Sequence, residues 1–299
     1  MLNVYEQVDR NKRRSALVIG LFAIFVTAVV YFIGRALGYG YGFVGFALIF
    51  SGLTSFFGYW YSDKIILSVS GARPASKSKD FKFYSAVENI SLATGLPMPV
   101  LYVIDDSAPN AFATGRDPKH AIIAATTGLL NKLDKTEIES VVAHEMSHIK
   151  NYDMRLMSVV VVLVGMITLL ADFLMRSSWS RRRSNDQEGI GGLVLIFGLI
   201  LALLSPLIGK LIQLALSRRR EFLADAGSAM ITRQPSGLIS ALKKISADPK
   251  PLETANRATA SLYIVNPLKG KDGKISRLQS LFNTHPPIEE RIKALEAME

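Results

Sequence analysis

Two histidines and a glutamate in the middle of the chain have the spacing of a zinc hydrolase site. They lie in His144-Glu145-Met146-Ser147-His148, which follows the pattern H-E-x-x-H. Residues four apart lie on one face of an α-helix, so His144 and His148 can offer two imidazoles to one metal ion. Glu145 lies about 100° further round the helix, close enough to reach a metal-activated water. The spacing therefore predicts metal-dependent hydrolysis.

The residues before this motif predict the helix that it needs. Asp134 and Glu137 form a capping pair at its start. Ile138, Val141 and Val142 then give the helix one apolar side. The alternative interpretation is two surface histidines on an ordinary helix. Because the chain contains only four histidines, chance placement of the motif is expected in roughly one chain in five hundred of this composition.

A third metal ligand must come from elsewhere in the chain, because catalytic zinc sites usually have three protein ligands and a position for water. Glu221 and Asp225 are four residues apart after a run of arginines, so both face one way on a helix. One can bind the metal while the other orients a ligating histidine. From spacing alone, a pair of carboxylates that neutralises the arginines is an equal alternative. The downstream candidates for the third ligand are Asp153, Asp172, Glu188, Glu221, Asp225 and His285.

The overall composition indicates a protein that works at a membrane. Hydrophobic residues make up 49% of the 299 residues, and the mean hydropathy of +0.25 is high for a soluble enzyme. The chain has no cysteine, so histidines and carboxylates must hold any zinc. Its net charge of +10 would suit nucleic acid, but the basic residues flank apolar runs and lack interleaved aromatics. We therefore expect a lipid bilayer as partner and no nucleic acid.

Uncharged runs in the chain predict about four hydrophobic helices. The first two, Ser15–Gly34 and Ala36–Ser62, are separated by Arg35 alone and are long enough to cross a bilayer as a tight hairpin. The third, Leu156–Ala171, is short for a span, whereas the fourth, Gly189–Gly209, is long enough. The chain would leave the metal site through the third hydrophobic helix and return to it through the fourth. This course predicts that the site lies near a membrane surface.

Basic residues predict how these helices are oriented. By the positive-inside rule, both ends of the first hairpin are expected in the cytoplasm, because basic residues cluster at 10–14 and again between 64 and 82. The arginine-rich loop 176–188 would face outward if the second hairpin crossed, against the same rule. Either the first hairpin dominates the topology, or the second does not cross fully, or its helices are buried partly against protein. We expect a multi-pass protein of the cytoplasmic (inner) membrane with its active site on the cytoplasmic side.

The segments outside the hydrophobic runs predict a globular α+β part, in which the motif helix lies beside a small antiparallel sheet. The expected elements are helices at Lys79–Thr94, Pro235–Ser246 and Pro286–Met298, strands at Val100–Ile104, Ala111–Gly115 and His120–Ala124, and a strand or loop at Ser261–Val265. The expected parts of the chain are an N-terminal transmembrane hairpin (1–62), a first part of a cytoplasmic protease domain with the H-E-x-x-H helix (63–155), a second hydrophobic hairpin (156–212) and a second part of the protease domain with the third zinc ligand (213–299).

Several segments, spread over nearly the whole chain, carry a resemblance to a known family. Together, and in the order in which they occur along the chain, these segments make it similar to the HtpX-type membrane zinc metalloproteases, distant relatives of the CaaX prenyl endoproteases. The resemblance implies a mostly helical membrane protein with a gluzincin-like zinc protease domain. The segments are Tyr5-Glu6-Gln7, Asn11-Lys12-Arg13-Arg14, Asn110-Ala111-Phe112-Ala113-Thr114-Gly115, His144-Glu145-Met146-Ser147-His148, Arg220-Glu221-Phe222-Leu223-Ala224-Asp225 and Thr284-His285-Pro286-Pro287-Ile288-Glu289-Glu290-Arg291.

The resemblance also implies roles that spacing leaves open. It implies Glu221 as the third zinc ligand and Asp225 as the partner that orients a zinc histidine. It further implies that Asn110, His285 and Arg291 line the cleft. The histidine and the arginine are implied to be catalytic, holding the substrate backbone or the oxyanion, and the asparagine to bind substrate. Without the resemblance, Asn110 is interpreted as a turn residue and His285 as a capping histidine before two prolines.

These observations predict a membrane-embedded zinc endopeptidase with one Zn²⁺ per chain, in which Glu145 activates water for attack on a peptide bond. An extended substrate can align on the strand near Asn110–Gly115 by backbone pairing. The resemblance implies polypeptide substrates, chiefly membrane proteins, and a role in the quality control of misfolded or damaged ones. The alternative is a non-catalytic zinc-containing membrane scaffold or chaperone-like binder, in which four protein ligands would close the metal site.

Overall fold

Two long apolar helices form the N-terminal part of the structure. α1 (Val4–Ala36) packs against α2 (Phe43–Trp60), and the hydroxyls of Thr27 and Ser51 lie 2.6 Å apart between them. Each helix contains a stretch long and apolar enough to cross a membrane, Val8–Tyr31 in α1 and the whole of α2. These stretches overlap the first two uncharged runs of the sequence, Ser15–Gly34 and Ala36–Ser62. The computed structural model describes residues 4–36, 40–166, 218–255, 259–265, 267 and 286–299.

Shorter helices make up most of the remaining described chain. The sequence pattern predicts the helix at Lys79–Thr94, which is observed from Phe81 and ends at Gly95 with a φ of 67°, a left-handed conformation that glycine adopts without strain. It does not predict α3 or α5. The helices after α2 are α3 (Ser62–Val69), α4 (Phe81–Thr94), α5 (Thr127–Lys132), α6 (Lys135–Lys150), α7 (153–166), α8 (Arg218–Thr232), α9 (Pro235–Ser246) and α10 (Ile288–Glu296).

The sheet contains the three predicted strands and a further short one at its edge. The strands are β1 (Ala72–Pro74), β2 (Val100–Ile104), β3 (Ala111–Gly115) and β4 (Ala121–Thr126). Their order is β1-β2-β4-β3, and β2 and β4 run parallel while the other two pairs are antiparallel. The prediction of an antiparallel sheet is therefore wrong. The sheet is mixed because the β3–β4 hairpin folds back with β4, and not β3, against β2. His120 lies in a 3₁₀ turn before β4.

The helix α6, which carries the H-E-x-x-H motif, lies at the centre of the protein core. Its first turn has the predicted capping box, in which Asp134 accepts a hydrogen bond from the Glu137 N–H and Glu137 accepts one from the Asp134 N–H, both at 2.9 Å. Nearly every residue from Glu137 to Ile149 is buried, because α4, α8, α9 and the sheet all pack against α6. A helix buried on all sides holds its polar side chains in fixed positions.

Small residues allow α8 and α9 to approach α6 closely. A Cβ atom added at Gly227 of α8 would overlap the Ser147 hydroxyl, and one added at Gly237 of α9 would overlap the Ser140 hydroxyl. The Ser228 hydroxyl also donates a hydrogen bond to the Ser140 carbonyl oxygen at 2.7 Å. The close α6–α8 contact is what brings the two ends of the metal site together.

The third uncharged run of the sequence lies against protein in its described part. In α7 every side chain from Leu156 to Val164 is buried, and the apolar ones share a core with Val18 and Phe22 of α1 and with Phe112 of β3. This agrees with the alternative that the second hydrophobic pair is partly buried against protein. The predicted run Gly189–Gly209 and the arginine-rich loop 176–188 lie outside the described residues.

Candidate metal centre

The contact between α6 and α8 brings three potential metal ligands to one buried point. His144 Nε2 lies 3.8 Å from Glu221 Oε2, and His148 Nε2 lies 3.5 Å from Glu221 Oε1. One ligand atom from each of these residues can be chosen so that all three lie within 4.8 Å of one another. Among the candidates for the third ligand that lie in the described part of the chain, Glu221 is the one that faces both histidines.

A carboxylate lies behind each histidine, at the ring nitrogen that faces away from Glu221. His144 Nδ1 lies 2.9 Å from Asp225 Oδ1, and His148 Nδ1 lies 3.2 Å from Asp153 Oδ2. Such a carboxylate favours a proton on Nδ1, which leaves the Nε2 lone pair for a cation. The sequence indicates Asp153 only as one of several possible ligands. Asp153 comes directly after the turn that ends α6, only five residues beyond His148. This short distance in sequence is the signal that could have predicted its orienting role.

The donor set suits a zinc ion. Two imidazole nitrogens and one carboxylate are the ligands of many catalytic zinc sites, and three protein ligands leave a position for water. His144, His148 and Glu221 are each at most 5% exposed, so the site is shielded from bulk solvent. The residues present therefore fit a zinc ion, held by the three side chains that converge here.

Glu145 is a buried carboxyl group beside the two histidines. Burial raises its pKa to about 7, with the charge of Glu221 adding to this effect and the charges of His148 and Arg291 opposing it. A group with a pKa near neutrality can both accept and return a proton at physiological pH. The glutamate of the motif thus has the electrostatic setting of a general base.

The two histidines of the motif differ in their electrostatic surroundings. Burial would lower the pKa of His148, but the hydrogen bond to Asp153 and the charges of Glu221, Asp153 and Glu145 outweigh it and raise the pKa to about 9. Burial lowers the pKa of His144 despite the opposing effect of Asp225. A cation at Nε2 competes with the proton there, so metal binding at this site releases protons.

Arg291 of α10 reaches the site from behind Asp225. Its guanidinium is fully buried, donates from Nε and Nη2 to the two oxygens of Asp225 at 2.8 and 2.6 Å, and donates from Nη1 to the Ile264 carbonyl oxygen at 2.8 Å. Nη1 also lies 3.7 Å from Glu221 Oε2. The structure therefore brings Arg291 to the site, where it lies close to the potential ligand Glu221 and binds Asp225, the carboxylate behind His144.

Asn110 lies at the start of β3 and binds a neighbouring segment of the chain. Its side chain donates to the Val265 carbonyl oxygen at 2.8 Å and accepts from the Val265 N–H at 3.4 Å. The Ile264 N–H donates to the Ala111 carbonyl oxygen at 3.0 Å, so the segment 263–265 lies beside the beginning of β3. The predicted site residue His285 lies outside the described residues. The predicted residues that the structure brings together are His144, Glu145, His148, Glu221, Asp225 and Arg291.

Comparison with known proteins connects this site to one family. The family model described as Peptidase family M48 matches residues 79–299. The Protease HtpX homolog of Dictyoglomus thermophilum is 46% identical over 297 residues, which are 98% of this chain and 94% of that protein. The Protease HtpX homologs of Caldanaerobacter subterraneus subsp. tengcongensis and Tropheryma whipplei are 44% and 41% identical, over 99% of this chain and 98% of theirs.

A solved structure supports the same architecture. The crystal structure of S. mikatae Ste24p matches this chain with a TM-score of 0.51 at 18% sequence identity, over 98% of this chain and 66% of that one. At this level of identity the likeness concerns the fold, which is mostly helical with a small mixed sheet.

Proposed function

The chain belongs to peptidase family M48 as an HtpX-type metalloprotease, and we propose that it is a zinc-dependent endopeptidase embedded in a membrane. The observation that carries the proposal is the convergence of His144, His148 and Glu221 beside the buried carboxyl group of Glu145. This arrangement combines a metal-binding set that leaves one position for water with an adjacent proton acceptor. Both parts are used in zinc-dependent peptide hydrolysis.

The chain's own residues supply orientation and proton transfer. A bound zinc ion supplies Lewis acidity, which makes a water more acidic and polarises a peptide carbonyl. Glu145, which is buried beside the two histidines, accepts a proton from the attacking water and returns it to the leaving amine. Asp225 and Asp153 keep the two imidazoles turned toward Glu221.

We propose that the substrate is an extended polypeptide that pairs with β3. This strand is the last in the order of the described sheet and runs next to α6. Because the Ala111 carbonyl oxygen already accepts a hydrogen bond from Ile264, the substrate would pair with β3 beyond Ala111. Backbone pairing with a sheet edge reads few side chains, which suits the clearance of misfolded or damaged membrane proteins. Within this proposal Asn110 borders the cleft, and His285 helps to hold the substrate backbone or the oxyanion.

We also propose that α1 and α2 cross the cytoplasmic membrane in a multi-pass arrangement, with the metal site at the cytoplasmic surface. Apolar side chains such as Leu17, Ile24 and Ile49 are exposed on these helices and would face lipid. At the end of α2, the Arg116 guanidinium lies 4.6 Å from the ring centre of Trp60. Aromatic residues with cationic neighbours are typical of a membrane interface, and this end of α2 is the one near the sheet.

Cleavage of an unfolded protein by the detergent-purified chain tests the proposal. The wild type should hold one zinc ion and cleave the substrate, and removal of zinc by a chelator should stop cleavage. Glu145→Gln should keep the zinc ion but cleave at least about 100-fold more slowly. Glu139→Gln makes the same chemical change elsewhere on α6, where Glu139 accepts a hydrogen bond from Asn89, and should cleave like the wild type.

Two results would contradict the assignment. Substantial residual cleavage by Glu145→Gln would show that this carboxylate is not the proton acceptor. A zinc-loaded wild type that cleaves no unfolded protein would instead support the non-catalytic scaffold or chaperone-like binder.

A further inference from the structure

A buried asparagine of the N-terminal helix contacts the carboxylate behind the second histidine. Asn11 of α1 is 3% exposed, and its Nδ2 donates to Asp153 Oδ1 at 2.7 Å and to the Asn151 carbonyl oxygen at 2.9 Å. The other oxygen of Asp153, Oδ2, lies 3.2 Å from His148 Nδ1. Asn11, Asp153 and His148 thus form a continuous chain of hydrogen bonds from a candidate membrane helix to a metal ligand.

The same asparagine also contacts the helix that carries the third ligand. Arg220, which precedes Glu221 in α8, donates from Nη1 to Asn11 Oδ1 at 3.3 Å and lies 3.5 Å from Asp153 Oδ1. Both polar atoms of the Asn11 side chain are therefore engaged. Its amide joins Asn151 and Asp153, which follow α6, to Arg220 of α8. Loss of its donor would leave the buried Asp153 Oδ1 with the longer contact to Arg220.

We propose that Asn11 is a positioning residue for the metal site. It holds the Asp153 carboxylate in the orientation that fixes the His148 ring, so that α1 supports metal retention in addition to its place in the membrane. The inference rests on the proposed zinc site at His144, His148 and Glu221. Its physical basis is that groups hydrogen-bonded to a ligating histidine determine the ring orientation, and that those groups must themselves be held.

Zinc release from the full-length protein in detergent measures this role without measuring activity. Zinc-loaded wild type and variants are mixed with an excess of a chelating dye, and the rate of zinc transfer is followed. Asn11→Ala should release zinc on the order of tenfold faster than the wild type. Asn11→Asp should also release it faster, because a carboxylate of the same size cannot donate to Asp153. Ser15→Ala is the matched control, since this buried hydroxyl of α1 donates only to the Asn11 backbone carbonyl oxygen at 2.9 Å.

Two comparisons separate positioning from simple packing. If Asn11→Asp, which preserves the side-chain volume, releases zinc at the wild-type rate, the inference is wrong. In a double-mutant cycle with Asp153→Asn, the effects of the two changes should be strongly non-additive, and additive effects would show that Asn11 does not act through Asp153. Cobalt-loaded Asn11→Asp should show a changed visible spectrum at the metal, and a spectrum identical to that of the wild type would also overturn the inference.

The inference and the proposed function fail in different ways. A wild-type protein that binds no zinc would overturn the proposed function, and the inference with it. A wild type that binds zinc and cleaves protein, together with Asn11 variants that release zinc at the same rate, would overturn the inference alone. If Asn11→Ala does not fold, the isosteric Asn11→Asp carries the test.

Discussion

Arg291 donates two hydrogen bonds to Asp225, from Nε to Oδ2 at 2.8 Å and from Nη2 to Oδ1 at 2.6 Å. The same Oδ1 lies 2.9 Å from Nδ1 of His144. A guanidinium from the last helix therefore fixes the carboxylate that orients a potential metal ligand on α6. Because the pair is buried, loss of one partner leaves an uncompensated charge beside the site.

We expect Arg291→Lys to weaken zinc binding by about 10- to 100-fold. A lysine ammonium cannot make both hydrogen bonds to Asp225 and the third to Ile264, since it lacks the planar fork of the guanidinium. Competition with a chelator of known affinity measures the effect, and Arg219→Lys on exposed surface is the control. Wild-type zinc affinity with a raised KM would indicate instead that Arg291 acts on the substrate, as the family resemblance implies.

We expect Asn110→Ala to destabilise the protein by about 1–3 kcal/mol, because both backbone groups of Val265 lose their partner. Thermal unfolding measures this loss, with the exposed Asn131→Ala as control. If the asparagine acts only through Val265, the KM for unfolded protein should stay near the wild-type value. A raised KM with an unchanged Tm would show a direct role in substrate binding.

We expect Gly227→Ala to lower both stability and zinc content. The added Cβ would overlap the Ser147 hydroxyl and lie 3.0 Å from the Ser147 Cβ, so α8 must move away from α6 and carry Glu221 with it. Such overpacking typically costs about 1–3 kcal/mol. Unfolding curves and zinc stoichiometry measure the two effects.

The partner of Gly227 offers a direct check of that explanation. Ser147→Ala removes the hydroxyl, and in combination with Gly227→Ala it should restore part of the stability and zinc content. Gly20→Ala in α1 is the control, because a Cβ there has no atom within 4 Å. No rescue by the second change would argue against helix separation as the cause.

We expect Glu137 to stabilise the protein at neutral pH and to lose this effect in acid. Burial would raise its pKa, but the Lys244 ammonium at 2.6 Å, the Ser240 hydroxyl and the Asp134 N–H outweigh it and lower the pKa below the usual 4.5. A carboxyl group whose pKa is lower in the folded state contributes stability above its unfolded pKa. That contribution disappears as the pH falls through the lower, folded value.

Glu137→Gln should therefore reduce stability by about 1 kcal/mol at pH 7, because a neutral amide can keep the capping hydrogen bond from the Asp134 N–H but loses the ion pair with Lys244. The difference from the wild type should shrink as the pH falls from about 4.5 toward 3. Unfolding curves of both proteins across this pH range provide the measurement. A difference that is the same at pH 7 and pH 3 would show that charge is not the source of the effect.

Several features of this protein follow from residues that are close together in the chain. The motif helix α6 and its capping box depend on a spacing of three or four residues, which is a local property of helical backbone. The apolar stretches of α1 and α2 depend on composition over a continuous run of residues. For these features the sequence by itself was enough. The placement of Glu221 and Asp225 on one side of a helix also follows from local spacing, because they are four residues apart.

Other features depend on which surfaces of distant segments meet. Spacing leaves Glu221 one candidate ligand among several, and only the resemblance singles it out in the sequence. The tertiary structure shows it facing both histidines, because α8 contacts α6 closely where Gly227 meets Ser147. The parallel pairing of β4 with β2, which makes the sheet mixed, likewise depends on the tertiary structure. The hydrogen bond from Asn11 to Asp153 joins residues 142 positions apart. No local periodicity encodes such a contact, since it arises only when the packing of several helices has been determined together.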